Sequence, residues 1–265
     1  MPITIADIIS WDTFASLLMD GYQKLRLPSS DNTSIALDFV IFHATADPLI
    51  FAIRTSLLFA FICWFQSMAT GTHSWVDKLW SIAPVLYSIH YAIRDMFYWP
   101  KGEAFHYVPR VYIVTALIAL WGIRLTYNFY RKGGYGIDSE DYRWPYLGTV
   151  IPSGIWFFFN IFFICIFQNL LLVAITAPVY TAWRASFIET TPLNWIDALA
   201  TLSFIGGLTL ETLADEQQWA FQEAKRKAIA KKEVLTGDFK RGFLTQGLFK
   251  YSRHPNFFGE MTIWW

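Results

Sequence analysis

Ile155-Trp156-Phe157-Phe158-Phe159-Asn160-Ile161-Phe162-Phe163-Ile164-Cys165-Ile166-Phe167 is the middle of a Phe-rich apolar block that runs from about 151 to 179. A helix crosses the hydrocarbon of a bilayer in about 20 residues, so this block is long enough to span with tilt. Working outward, similar blocks occupy about 49–70, 79–99, 108–129 and 193–214, and another begins at Pro255. The expected fold is therefore all-α: a polytopic membrane helical bundle with about five complete spans and the start of a sixth. Composition agrees, with 54% hydrophobic and only 16% charged residues. Soluble domains carry about 25% charge.

The chain divides on this pattern into an amphipathic and loop segment, 1–48, and a membrane helical domain, 49–265. The N-terminus lacks a basic region followed by a small-residue cleavage site, so no cleavable signal peptide is expected. Net charge is zero, which disfavours nucleic acid as a partner. Cys63 and Cys165 each lie inside an apolar block, where buried thiols are expected rather than a disulfide framework. His43, His73, His90 and His106 have no metal-ligand spacing, and no metal site is expected. The Gly133-Gly134-Tyr135-Gly136 run lacks the ending of a phosphate loop and reads as a turn.

Loop charges orient the spans. Lys225, Arg226, Lys227, Lys231, Lys232, Lys240, Arg241, Lys250 and Arg253 precede the last block; Arg131, Lys132 and Arg143 follow the third; Lys78 follows the first. Alternation puts these loops on one face, expected to be cytosolic. The polar clusters fall on the same face: Ser74 to Asp77, Arg124, Arg131 to Gly134, Glu140 to Arg143, Glu211 to Asp215, and Arg253 to Glu260. Each has a structural reading beside a functional one. Arg124 can snorkel to headgroups, Glu211 and Asp215 share a helix face as residues four apart, and the 225–232 stretch suits a helix lying against anionic lipid.

Arg253-His254-Pro255-Asn256-Phe257-Phe258-Gly259-Glu260 is denser in polar groups than a cap requires. Pro255 suits the first position of a helix, where its missing N–H costs nothing. Asn256 and Glu260 then fall on one face, beside backbone amides that favour an anionic group. From Gly247 to Glu260 the sequence resembles the C-terminal signature of the steroid 5-alpha-reductase superfamily, most closely its broad branch of multi-span proteins. The resemblance extends upstream through Asp77-Lys78-Leu79-Trp80, Trp121-Gly122-Ile123-Arg124, Glu140-Asp141-Tyr142-Arg143-Trp144 and Ala214-Asp215-Glu216-Gln217, and covers about 71–265.

That resemblance implies a helical membrane enzyme that binds NADPH on the cytosolic side and reduces a carbon–carbon double bond conjugated to a carbonyl in a steroid or other lipid. It implies that Arg124, Arg131, Glu211, Asp215, Asn256 and Glu260 line or support the cofactor site, with Arg253 and His254 in the same motif. Asp77 falls where the steroid reductases place the catalytic carboxylate that holds the substrate carbonyl with a tyrosine. Trp121 stands where that tyrosine belongs, which points to a different substrate. The family pattern also continues past Trp264-Trp265 with a helical region and tail that close over the cofactor, so a membrane-protein partner is expected to complete the site. The expected location is the endoplasmic reticulum membrane, with the substrate drawn from the bilayer. Two other readings stay open: a non-catalytic membrane subunit or assembly factor, and an S-adenosylmethionine-dependent methyltransferase of the isoprenylcysteine type.

Overall fold

The computed structural model describes residues 47–97, 108–187 and 191–264. These form helices joined by turns, with no strand among the described residues. The expectations placed on residues 1–46, including the amphipathic N-terminal segment, fall outside them. The chain divides into two compact units, Met1–Pro192 and Leu193–Trp265.

In the first unit, α1 (Pro48–Thr70) starts where Asp47 accepts the Leu49 N–H at 2.9 Å and Pro48 takes the first helical position. It ends at Gly71, whose φ of 72° lets its N–H return to the Ser67 carbonyl. A 3₁₀ turn, Asp77–Leu79, leads to α2 (Ala83–Phe97), followed by α3 (Pro109–Arg131) and the short α4 (Arg143–Val150). The quoted Phe-rich stretch becomes α5 (Ser153–Phe159), a π-helical segment (Asn160–Phe167) and α6 (Gln168–Ala174), with α7 (Ala177–Ala185) after a break. Pro178 lacks the N–H that would carry the ladder through that break.

Polar groups hold this unit together from inside. Asn160 donates to the Ser67 hydroxyl at 3.1 Å, Asn169 donates to Cys63 Sγ at 4.0 Å, and Tyr91 pairs with Thr176 at 3.4 Å. Lipid is as apolar as leucine, so helices in a bilayer associate through small and polar contacts of this kind. Correspondingly, Leu58, Phe61 and Phe65 of α1 face outward. Cys63 and Cys165 are buried free thiols, as expected.

The second unit is built on α8 (Trp195–Ala230), with α9 (Gly237–Arg241), a 3₁₀ turn (Gly247–Lys250) and α10 (Pro255–Trp264). Asn194 and Asp197 form a reciprocal capping box at the start of α8. At a rise of about 1.5 Å per residue α8 is about 54 Å long, so its C-terminal part extends beyond a hydrocarbon core of about 30 Å.

Among the described residues, four helices are long and apolar enough to cross a membrane: Pro48–Thr70, Pro109–Arg131, Ser153–Ala185 and Trp195–Ala230. The protein is an integral membrane helical bundle. The expected second span, 79–99, starts later than the sequence pattern indicates: a 3₁₀ turn, Asp77–Leu79, precedes it, and its described helix is Ala83–Phe97.

Candidate functional site

The first unit brings two loops together in parallel register. The His73 backbone N–H donates to Glu140 Oε1 at 2.7 Å, the Asp141 N–H donates to Ser74 Oγ at 2.8 Å, and Trp144 Nε1 donates to Asp77 Oδ2 at 3.1 Å. All three rungs join residues 67 apart in sequence. The His73 ring extends the network. Trp156 Nε1 donates to His73 Nε2 at 3.1 Å, so Nδ1 carries the proton and donates to Glu140 Oε1 at 3.0 Å. Arg143 grips Asp141 with two hydrogen bonds, at 2.7 and 3.1 Å. Burial alone would raise the Asp141 carboxyl, but its side-chain and backbone hydrogen bonds from Arg143 prevail and hold it below the ordinary carboxylate value.

These loops border a cavity of about 550 Å³. Asp77, Glu140 and Asp141 line its polar end; Phe163, Phe167 and Leu171 line its apolar wall. Gln168 lies in the same lining, with its oxygen accepting from Trp80 Nε1 at 3.1 Å, so its NH₂ group is the remaining donor. The cavity is thus polar at one end and aromatic along one side, the usual composition of a small-molecule site. Of the expected residues of this unit, Asp77 lines the cavity. Arg124 is half-buried on α3, and Arg131, the last residue of α3, donates from Nε to Asn128 Oδ1 at 3.0 Å. Trp121 is 2% exposed and belongs to the core.

The second unit brings together residues from two helices. Gly207 and Gly259 meet where α8 and α10 cross: a Cβ on Gly259 would lie 2.7 Å from the Gly207 carbonyl and 3.0 Å from Glu211. This approach lets Asn256 Nδ2 donate to Asp215 Oδ1 at 3.2 Å. The helices run antiparallel, with Asp215 beside Asn256 and Gly207 beside Gly259 and Ile263. Glu211 and Asp215 are both buried, at 5% and 9% exposure. Buried carboxylates are costly unless they serve a partner or a ligand. Glu260 accepts from Trp264 Nε1 at 3.0 Å. Arg253 and His254 are exposed ahead of α10, and the His254 ring stacks on Phe257 at 5.3 Å. Further along α8, Gln217 accepts the Leu248 N–H at 2.9 Å. Gly247 has a φ of +61°, and a Cβ there would strike Gln217.

Of the residues expected from the sequence, the α8–α10 crossing brings Glu211, Asp215 and Asn256 together, while His73, Trp156 and Gln168 were not among those expected. A glutamine inside an apolar block is itself a signal of function. The pairing of His73 with Glu140 has no local signature.

Fold and sites together define a polytopic helical membrane protein with a lipid-facing cavity and a buried carboxylate–amide cluster. The chain belongs to the family described as a protein of unknown function, DUF1295, whose model matches residues 63–265. It is 35% identical over 274 residues to the uncharacterized protein C594.04c of Schizosaccharomyces pombe, an alignment covering 100% of this chain and 76% of the yeast protein. No solved structure matches it.

Proposed function

We propose that the chain is a membrane-embedded, NADPH-dependent reductase of a conjugated carbon–carbon double bond in a steroid or other lipid, related to the steroid 5-alpha-reductase superfamily. The observation that carries this reading is the meeting of Glu211, Asp215 and Asn256 at the α8–α10 crossing. Two carboxylates and an amide suit a ligand that presents hydroxyl and carboxamide donors, as the nicotinamide ribose does. They do not suit its phosphates. For those the motif offers the exposed Arg253 and the free amides at the start of α10. The residues present therefore fit the group.

When bound, NADPH supplies the reducing equivalent. The protein must orient the lipid, exclude water and stabilise the charge that develops on the conjugated carbonyl. Gln168 retains N–H donors for that oxygen, and Asp77 marks the polar end of the lipid cavity. Basic loops on the cytosolic face would give access to a soluble anionic cofactor, and residence in the endoplasmic reticulum fits a lipid substrate.

Titration of the purified protein with NADPH and, separately, S-adenosylmethionine tests this through thermal stability. A native-state ligand at 100 times its Kd stabilises by about 2.7 kcal/mol. NADPH is expected to raise the unfolding midpoint, and Asn256→Ala is expected to lose most of that rise relative to its own ligand-free midpoint. A response to S-adenosylmethionine alone would favour the methyltransferase; a response to neither would favour a non-catalytic subunit.

A further inference from the structure

We propose that the first unit's cavity binds a bilayer amphiphile whose head group donates hydrogen bonds, a hydroxyl or an ammonium, to Asp77 and Glu140 while its apolar body lies along Phe163 and Phe167. The proposal goes beyond the reductase reading: it concerns the two carboxylates of the cavity, whereas the conjugated carbonyl of that reading falls to the Gln168 NH₂ group. It rests on that reading for the ligand's fate, not for its binding.

The apolar side is a flat aromatic ladder. Phe159 and Phe163 stack at 4.8 Å with 21° between their planes, and Phe163 and Phe167 stack at 5.5 Å with 12°. Phe163 and Phe167 line the cavity, yet 43% and 51% of their surfaces remain open on a membrane span. The wall of the cavity is therefore continuous with the face that meets hydrocarbon, and an apolar body can lie against it without crossing water.

The polar end is defined by what its groups already do. Asp77 Oδ2 is occupied by Trp144, and Glu140 Oε1 by the His73 backbone and ring. The second oxygen of each carboxylate has no hydrogen-bond partner among the described residues. Asp141 is taken by Arg143. Acceptor capacity is thus what remains at Asp77 and Glu140, while the Gln168 NH₂ group is the donor left elsewhere in the lining. Against these two carboxylates a ketone or carboxylate head would set acceptors against acceptors, whereas a hydroxyl or ammonium completes them. Arg143 and Lys132 also line the site, but Arg143 is paired and Lys132 is solvent-exposed. A volume of about 550 Å³ holds a head and the adjoining part of a body, leaving the rest in the bilayer.

The test uses cofactor-free full-length protein in nanodiscs and two matched pairs of probes: cholesterol against cholest-4-en-3-one, and hexadecylamine against hexadecanoic acid. Binding is read by competition and by thermal shift. The donor-headed member of at least one pair is expected to bind tenfold or more tighter than its partner. The pair that discriminates identifies the hydroxyl or the ammonium. Asp77→Asn with Glu140→Gln, which keep side-chain size and the acceptor oxygens for Trp144 and His73, should cut that preference to threefold or less. Phe163→Ala should weaken all binding members alike. Equal or reversed preference in both pairs, a preference untouched by the double variant, or no binding by any probe overturns the proposal. Loss of the NADPH response in the same protein overturns the reductase reading and leaves this one standing.

Discussion

The two units build their polar clusters in opposite ways. In the second, Glu211 and Asp215 are one turn apart on α8, and Asn256 and Glu260 one turn apart on α10, so helix periodicity itself aligns each pair. A close glycine crossing then brings the two helices together. In the first, the cluster rests on two loops whose rungs join residues 67 apart. The helical cluster is positioned by backbone packing and tolerates little change in the backbone. The loop cluster is positioned by side-chain hydrogen bonds and depends on individual partners.

That difference can be broken first at Gly259. In Gly259→Val the new Cβ would meet the Gly207 carbonyl and Glu211, and neither helix backbone can withdraw alone. The expected cost is up to about 3 kcal/mol, the upper part of the usual overpacking range. Gly206→Val is the control, because a Cβ there has no neighbour within 4 Å. Unfolding midpoints in detergent should drop sharply for the first and little for the second. Equal drops would show that the crossing does not position the cluster.

The loop cluster is probed at Glu140. Glu140→Ala leaves the His73 backbone N–H and ring N–H without their acceptor, at a cost of about 1–3 kcal/mol. Partial exposure of Glu140 puts the expected value at the low end, since water replaces some of what is lost. Glu140→Gln keeps an acceptor oxygen and should lose less than half as much. Amide exchange over 73–77 and 140–144 should accelerate together in the alanine variant. Acceleration confined to one loop would mean that the rungs do not act as a unit.

The contrast also explains what could be read from the sequence. Apolar blocks longer than a bilayer thickness are conspicuous, and helical spacing placed Asn256 with Glu260 and Glu211 with Asp215 before any coordinates. The approach of Asp215 to Asn256 was legible only through resemblance, because antiparallel packing depends on Gly207 meeting Gly259 across 52 positions. The loop rungs had no periodic signal at all. His73 showed no metal-ligand spacing, and nothing local marked Trp144 and Trp156 as its neighbours in a network, because their indole N–H partners are remote in sequence. The start of the second span was placed early because hydropathy continues through the 3₁₀ turn, where the backbone is already bending.

A third polar cluster sharpens the comparison at the small end of the scale. In the second unit, Asp238 accepts the Thr245 N–H at 2.8 Å, the Thr245 hydroxyl at 2.8 and 3.0 Å, and Arg241 at 2.8 Å. Its partners are three and seven residues away, far closer than the loop rungs, 67 apart, or Asp215 and Asn256, 41 apart. The Thr245 backbone N–H, then its hydroxyl and the Arg241 charge, hold the Asp238 carboxyl below its ordinary value. A depressed folded-state value means that the contribution is complete above the unfolded value of about 3.9 and disappears as pH falls through the folded one. Acidification below about pH 4 should therefore release the 238–245 turn. The effect should be small because the cluster lies at the surface, where Arg241 is exposed and water screens its charge. Carboxyl ¹³C shifts of Asp238 and exchange at the Thr245 amide measure it. Thr245→Val removes the hydroxyl bonds but keeps the N–H, so it should return the titration only part of the way upward. An Asp238 that titrates at or above about 3.9 in the intact protein would show that this short-range cluster is not formed, leaving the helix crossing as the ordering element of the second unit.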